Sequence, residues 1–358
     1  MIESLMIYML ITVVTVGLAK LSVSKKFDKN TRRIFAIFTV LVPAFFAGIR
    51  YGIGTDYIVY EKVFNEVVNN AVITKRSEFG YVILNKVIAF FTSNFQVLLF
   101  VIAVIMIGCI YATLYRKKEK INVPFAMFCF MLLFYQMSFN LTRQLLAASI
   151  LMYATKYLEE DKKLKYIAMN IIAISIHSVA IIGLPLTFLY NFLTEEKYSK
   201  RRYIFYAIAL VIVIGYSFVL TPIFSKIPSL YYYMKYITFS YQGIGIGIFR
   251  YIILIFIPAF FLEKELKEHD DINLFFAISN IGFILWMNSY FSDYIAYRIS
   301  YTFLINISLI LGFYWKCLKY KNQLPLKILL LVTVLFFWYY DFFYLGVHGT
   351  VPYVSILS

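Results

Sequence analysis

Long apolar runs separated by short, lysine-rich polar breaks occupy almost the whole chain. A helix needs about 20 apolar residues to cross the hydrocarbon of a bilayer, whereas runs of about 10–14 are more often buried, re-entrant or interfacial. By that measure the pattern predicts spans over Ile2 to Leu21, Ile34 to Ile49, Phe95 to Tyr115, Ile121 to Phe139 and Leu141 to Leu158. Further spans are expected over Tyr203 to Phe224, Ile244 to Leu262, Ile272 to Tyr290, Ile299 to Trp315 and Ile328 to Leu345. Two segments fit less well. Phe79 to Thr92 is short and carries Lys86, and Tyr166 to Phe192 is long for one crossing and short for two, with His177 and Ser178 near its middle.

Basic residues mark cytoplasmic loops, so the awkward segments are assigned by asking which choice keeps the Lys and Arg clusters on one side. The clusters are Lys25 to Arg33, Arg116 to Lys120, Lys162 to Lys165, Lys197 to Arg202, Lys264 to Lys267 and Lys316 to Lys327. If both awkward segments enter and leave by the same face, all of these clusters lie inside. The predicted architecture is therefore all-α and polytopic. It has about ten transmembrane helices, two re-entrant or hairpin elements, both termini outside, and one multi-pass domain over residues 1–358. Two tilted full crossings over Tyr166 to Phe192 would give the same sidedness.

Composition agrees with a membrane protein and removes other classes. Of the 358 residues, 62% are hydrophobic and 15% charged, against about 45–50% and about 25% in soluble domains. The net charge of +15 would suggest nucleic acid in a soluble protein; here most of the excess sits in the inner loops as orientation signal, and no nucleic-acid partner is expected. Cys109, Cys129 and Cys317 have neither CxxC spacing nor neighbouring histidines and read as packing residues. No basic residue precedes the first apolar run, so that run is expected to be a retained span.

The outer loops collect the unusual chemistry. They contain Arg50, Asp56, Tyr57 and Tyr60, then Glu78 and Tyr81, Asn140, Arg143 and Gln144, and His177 with Ser178. Asp293, Arg298 and Tyr301 follow, and last His348 and Pro352-Tyr353. An ionised group near hydrocarbon costs at least about 2.5–3.5 kcal/mol, so such groups face cavities, partners or substrates. Taken singly, Arg143 and Arg298 could snorkel to headgroups, Arg50 and Asp56 could close a salt-bridged turn, and His177 could hydrogen-bond between helices. His269 reads as solvated and His348 as incidental. Gly243 to Gly247 lacks the context of a dinucleotide fingerprint, and Asp270-Asp271 lies in an acidic inner loop, so no cofactor and no metal are expected. Tyrosines cluster at 231–241 and 290–301, as in an interfacial belt or a sugar-stacking surface.

These residues resemble a known family. Arg50-Tyr-Gly-Ile-Gly-Thr-Asp56-Tyr57 followed by Tyr60 resembles the opening signature of the EpsG family of exopolysaccharide polymerases, which are Wzy-like relatives of O-antigen polymerases. Glu78-Phe-Gly-Tyr81, Asn140-Leu-Thr-Arg143-Gln144, His177-Ser178-Val-Ala180, Arg298 with Tyr301, and Pro352-Tyr353 resemble later blocks in the same order. A valine follows Ser178 where a small residue is expected. The resemblance implies a glycosyltransferase that joins polyprenyl-pyrophosphate-linked oligosaccharides at the outer face of the bacterial cytoplasmic membrane, during exopolysaccharide, capsule or O-antigen biosynthesis. The implied partners are that lipid-linked substrate, membrane lipids, a flippase and a chain-length regulator.

Such a reaction needs positive charge on the leaving pyrophosphate and a base for the attacking hydroxyl. Arginine suits the first task, because its planar fork pairs with phosphate oxygens. Arg143 and Arg298 are the expected clamps and Arg50 a third, with Gln144, Tyr301 and Tyr57 lining the substrate. For the base, Asp56 ranks first, His177 second and Glu78 third. Rival readings are a flippase or transporter of lipid-linked oligosaccharide, a membrane acyltransferase using His177, and a ligase differing only in acceptor. A transporter should show internal repeats and midplane charge; neither is visible in the sequence.

Overall fold

The computed structural model describes residues 1–75, 77–227, 245–290 and 295–357. Its described residues are helical, with no strand and one isolated bridge between Arg50 and Ser355. They form two compact units, Met1–Thr187 with Leu311–Ser358, and Phe188–Ile310.

In the first unit the apolar runs become helices α1 (Ile2–Ser22), α2 (Lys29–Ile49) and α5 (Phe95–Arg116). Their polar flanks supply the caps: Asp28 accepts from the Asn30 and Thr31 N–H groups, and Asn94 from that of Gln96, which satisfies donors the helix start leaves unpaired. Helices α1 and α2 pack together, and α2 packs on α5 so closely that a Cβ on Gly48 would lie 2.8 Å from Phe100 Cβ.

The two awkward segments take short forms. α3 (Tyr57–Val68) and α4 (Phe79–Phe91) follow α2. α4 begins against the C-terminal end of α8 (Lys163–Ile176), where a Cβ on Gly80 would collide with the Ser175 hydroxyl. It ends just before α5, so both of its ends lie at one end of the unit. Its Ile83, Val87, Phe90 and Phe91 are exposed, as on an interfacial helix. α8 stops at His177, and the 3-10 turn Ser178–Gly183 runs back along it until the Gly183 C=O accepts from Tyr166 OH at 2.9 Å. The chain thus reverses at His177-Ser178.

The expected span Ile121 to Phe139 is composite. α6 (Val123–Phe130), capped by Asn122, passes into a π-helical turn, Met131–Tyr135, and a 3-10 turn, Met137–Phe139, before α7 (Thr142–Glu159). The last helix, Tyr320–Tyr339, likewise opens into a π turn over Tyr340–Tyr344. Such widened turns often mark functional regions. Here they bracket one buried contact, in which Trp338 Nε1 donates to Gln136 Oε1 at 2.6 Å.

By length and hydropathy, five described helices can cross a membrane: Ile2–Ser22, Lys29–Ile49, Phe95–Arg116, Asp270–Tyr290 and Gln323–Tyr344. A sixth is possible if Ala296–Leu304 and Ile307–Cys317, bent by 43°, count as one. The chain is therefore an all-helical, multi-pass membrane protein. The expected spans Ile299 to Trp315 and Ile244 to Leu262 are both interrupted, the second by a π turn at Ile252–Phe256.

The basic loops and the unusual residues occupy opposite ends of the first unit. At one end Glu159 pairs with Arg116 and Lys117, each at 2.7 Å, and Lys316 donates to the Glu119 carbonyl. At the other end of the same helices lie Arg50, Asp56, Glu78, Asn140, Arg143 and Ser178. In the second unit, Asp270–Met287 packs against Ser199–Phe224 and Ile295–Leu304.

Candidate functional site

Arg50 follows the last residue of α2 and is 2% exposed. Its guanidinium lies 4.6 Å from the Phe139 ring centroid, and Nη1 donates to the Ala47 carbonyl. Nε and Nη2 are buried with no hydrogen-bond partner among the described residues. In place of the alternative of a salt-bridged turn with Asp56, the cation is held against an aromatic ring. Such a charge is costly to bury without an anion.

Asp56 begins α3. Its backbone N–H donates to Asn140 Oδ1 at 3.0 Å, and the same oxygen accepts from Thr55 Oγ1 at 2.6 Å. The loop reaches Asn140 only because Gly54 has φ +97°, and a Cβ there would lie 2.8 Å from the Phe139 carbonyl. Tyr57 is buried, accepts from Gln96 Nε2 at 3.0 Å and packs edge-on against Phe95. Tyr60 OH donates to the Asn140 carbonyl at 3.0 Å.

Glu78 joins the next two blocks. Oε2 accepts from Arg143 Nη1 at 2.6 Å, while Oε1 accepts from the Ser178 N–H at 3.1 Å and the Ser178 hydroxyl at 3.2 Å. Burial acts to raise the Glu78 carboxyl, but the Ser178 N–H together with the charges of Arg143 and His177 outweighs it and holds the group below the usual carboxylate range. Arg143 lies over Tyr81 at 5.2 Å and Tyr60 at 5.8 Å, and those two rings meet edge-on. This arginine is therefore positioned by a carboxylate on one side and two aromatic faces on the other, rather than snorkelling freely. Gln144 is buried in the first turn of α7. His177 terminates α8, and its Nδ1 accepts from the Val179 N–H at 3.3 Å.

Arg298 and Tyr301 stand one turn apart on Ile295–Leu304 in the second unit, where buried Tyr301 donates to Tyr297 OH at 2.8 Å. Asp293, Tyr294, Gly243 and the tyrosines at 231–241 lie outside the described residues.

The tail supplies what the sequence pattern missed. His348 is not incidental: its Nδ1 lies 2.9 Å from Asn140 Nδ2. Nearby, Thr350 accepts from Tyr8 OH at 2.7 Å and from Gln136 Nε2 at 3.1 Å, and Ser355 pairs with Arg50. The available signal was the glycine spacing around His348, Gly346 and Gly349, both of which adopt positive φ.

One loop, one ion pair and one helix reversal, drawn from blocks more than a hundred residues apart, thus meet at one end of the first unit. Residues 33–355 match the EpsG family, covering nearly the whole chain and every block described above. The chain belongs to the EpsG family. Members of this family are Wzy-like polymerases, so EpsG membership points to polysaccharide polymerisation. No curated protein and no solved structure matches the chain.

Proposed function

We propose that this EpsG-family protein joins polyprenyl-pyrophosphate-linked oligosaccharide repeat units at the outer face of the bacterial cytoplasmic membrane, for an exopolysaccharide, capsule or O-antigen. The observation that carries the proposal is the Glu78–Arg143 pair with Ser178 on the second carboxylate oxygen. It fixes a guanidinium in the first turn of α7, and this is the cation proposed to meet the lipid pyrophosphate. In this reading the chain is one membrane domain with about ten crossings, its basic loops inside. It works beside a flippase and a chain-length regulator.

The reaction breaks the bond between the anomeric carbon of the growing glycan and its pyrophosphate oxygen. It forms a bond from that carbon to a hydroxyl oxygen of the incoming unit. The electron pair leaves with the polyprenyl pyrophosphate, and the hydroxyl proton goes to a base. Arg143 offers its charge to the leaving group, with Arg50 as a further cation and Gln144 and Tyr57 as substrate contacts. In the second unit, Arg298 and Tyr301 are proposed as substrate contacts in their own right. Asp56, which heads α3 from a loop fixed by Asn140, is the preferred base. His177 is second. Glu78 is better suited to hold Arg143, because its lowered carboxyl is a weak base.

The test is to supply purified protein with lipid-linked repeat units. A ladder of longer glycans supports polymerisation. Movement of the lipid across vesicles without elongation would favour a flippase, and acyl transfer that depends on His177 an acyltransferase.

A further inference from the structure

After its π turn, the last helix gives way to a chain with three residues in left-handed conformation, Gly346 at φ +64°, His348 at φ +70° and Gly349 at φ +58°. This turn brings the tail back over the opening loop, where the Gly54 N–H donates to the Gly349 carbonyl at 3.1 Å. His348 therefore meets Asn140 across 208 residues of sequence.

The hydrogen-bond chemistry of that contact has one solution. The Asp56 backbone N–H can only donate, so the Asn140 atom facing it is the carbonyl oxygen. The other amide atom, Nδ2, then faces His348 and can only donate. His348 Nδ1 must accept, which requires an imidazole without a proton on Nδ1 and hence a neutral ring. We infer that His348 is a positioning residue, a neutral acceptor that acts through Asn140 to hold the Gly52–Asp56 loop and so the head of α3. The catalytic meaning of this role rests on the proposed function above; the positioning itself does not.

Protonation of His348 would turn Nδ1 into a second donor against the Asn140 amide and break the link. The charged and titratable groups toward this end of the elements packed there include Tyr8 on α1, Arg50 after α2, Asp56 and Tyr60 at the start of α3, Arg143 on α7, Asp341 in the last π turn and Tyr353 in the tail. Two of these are carboxylates, so the test must separate histidine from carboxylate. Asparagine at position 348 does so. It carries Oδ1 at the bond count of Nδ1, accepts without titrating, and tolerates positive φ better than most residues.

The experiment is amide hydrogen exchange of the 52–57 segment in the full chain in detergent, corrected for intrinsic rates, at about pH 8 and about pH 5.5, on either side of an ordinary histidine titration. Wild type is expected to be protected at the higher pH and to exchange about tenfold faster at the lower, the effect of one lost hydrogen bond. His348→Asn should be protected at both pH values, and His348→Gly at neither. Asn140→Asp places an acceptor opposite Nδ1, which both the imidazolium and the neutral Nδ1–H tautomer can meet as donors, so its protection should persist at low pH. Equal protection in wild type and His348→Gly at pH 8, or the same acid loss in His348→Asn as in wild type, overturns the inference. A parallel glycan-lengthening assay separates the two claims. If wild type lengthens nothing, the polymerase reading fails while the exchange result still decides the role of His348. If it does, His348→Gly should lose kcat more than KM, and His348→Asn should restore it and remove the acid limb.

Discussion

Arg143 Nη1 and Glu78 Oε2 stand 2.6 Å apart, and the other oxygen of the same carboxylate holds the turn at Ser178. Glu78 therefore acts as a bracket between α7 and the α8 reversal, and the charge of Arg143 stays aimed between Tyr60 and Tyr81. Glu78→Gln keeps an acceptor for Ser178 and removes the charge that fixes Arg143. Polymerisation should fall at least about tenfold, with KM for the lipid-linked unit rising, and Arg143→Lys should behave similarly because a point charge lacks the planar fork. Unchanged KM in both variants would contradict the bracket.

The same carboxyl predicts a pH effect of known sign. A group held below its unfolded value contributes stability above that value, near about 4.3 for glutamate, and loses it as pH falls through the folded one. Wild type should therefore keep the Glu78 link through mildly acid conditions and lose it only in strong acid. Thermal unfolding in detergent checks this. The gap in Tm between wild type and Glu78→Gln should be constant from about pH 7 to about pH 5 and close below about pH 4.

Arg50 separates stability from function. Its buried Nε and Nη2 have no hydrogen-bond partner among the described residues, so replacing it with leucine removes a charge left uncompensated there as well as one carbonyl bond and a ring contact. Arg50→Leu should melt no lower than wild type and yet lose glycan lengthening. A large fall in Tm with activity retained would show that Arg50 serves the fold alone.

Gly54 combines a left-handed φ with a tight approach to the Phe139 carbonyl. Gly54→Ala should cost about 1–3 kcal/mol and loosen the Thr55 and Asp56 contacts to Asn140. Guanidinium or thermal melts measure the first effect, and labelling of a cysteine at position 55 the second. No change in either would show that the loop does not position Thr55 and Asp56.

Much of this was legible in the sequence. Helices α1, α2 and α5 follow from uninterrupted apolar length, and the reversal at His177 from a polar pair within a run of awkward length. The blocks around Arg50, Glu78, Arg143 and His177 could be picked out because ionisable residues beside apolar helices are expensive. Their mutual contacts could not, since nothing local encodes that Glu78 reaches both Arg143 and Ser178. Average hydropathy also misses the π turns at Met131–Tyr135 and Ile252–Phe256 and the break after Leu304, because a widened or bent helix keeps the same apolar composition. The tail is the least legible part of the sequence. It has no helical period, and His348 gains its role only through Asn140, a partner fixed by the tertiary fold.

Sidedness has its own check. A membrane-impermeant thiol probe on intact cells should reach a cysteine at position 55 but not one at position 118, since the two lie at opposite ends of the first unit, beside Asn140 and beside Lys316 respectively. The reverse pattern would place the site inside.

The most direct test of the central claim is reconstitution with a lipid-linked repeat unit, comparing wild type with Arg143→Ala and Asp56→Asn and reading product length. Wild type should build a ladder of lengthened glycans on polyprenyl pyrophosphate, and each variant should lose at least about a hundredfold, as for removal of a charge-stabilising or proton-accepting group. A wild-type protein that lengthens no glycan, or variants that lengthen it as fast as wild type, would contradict that claim.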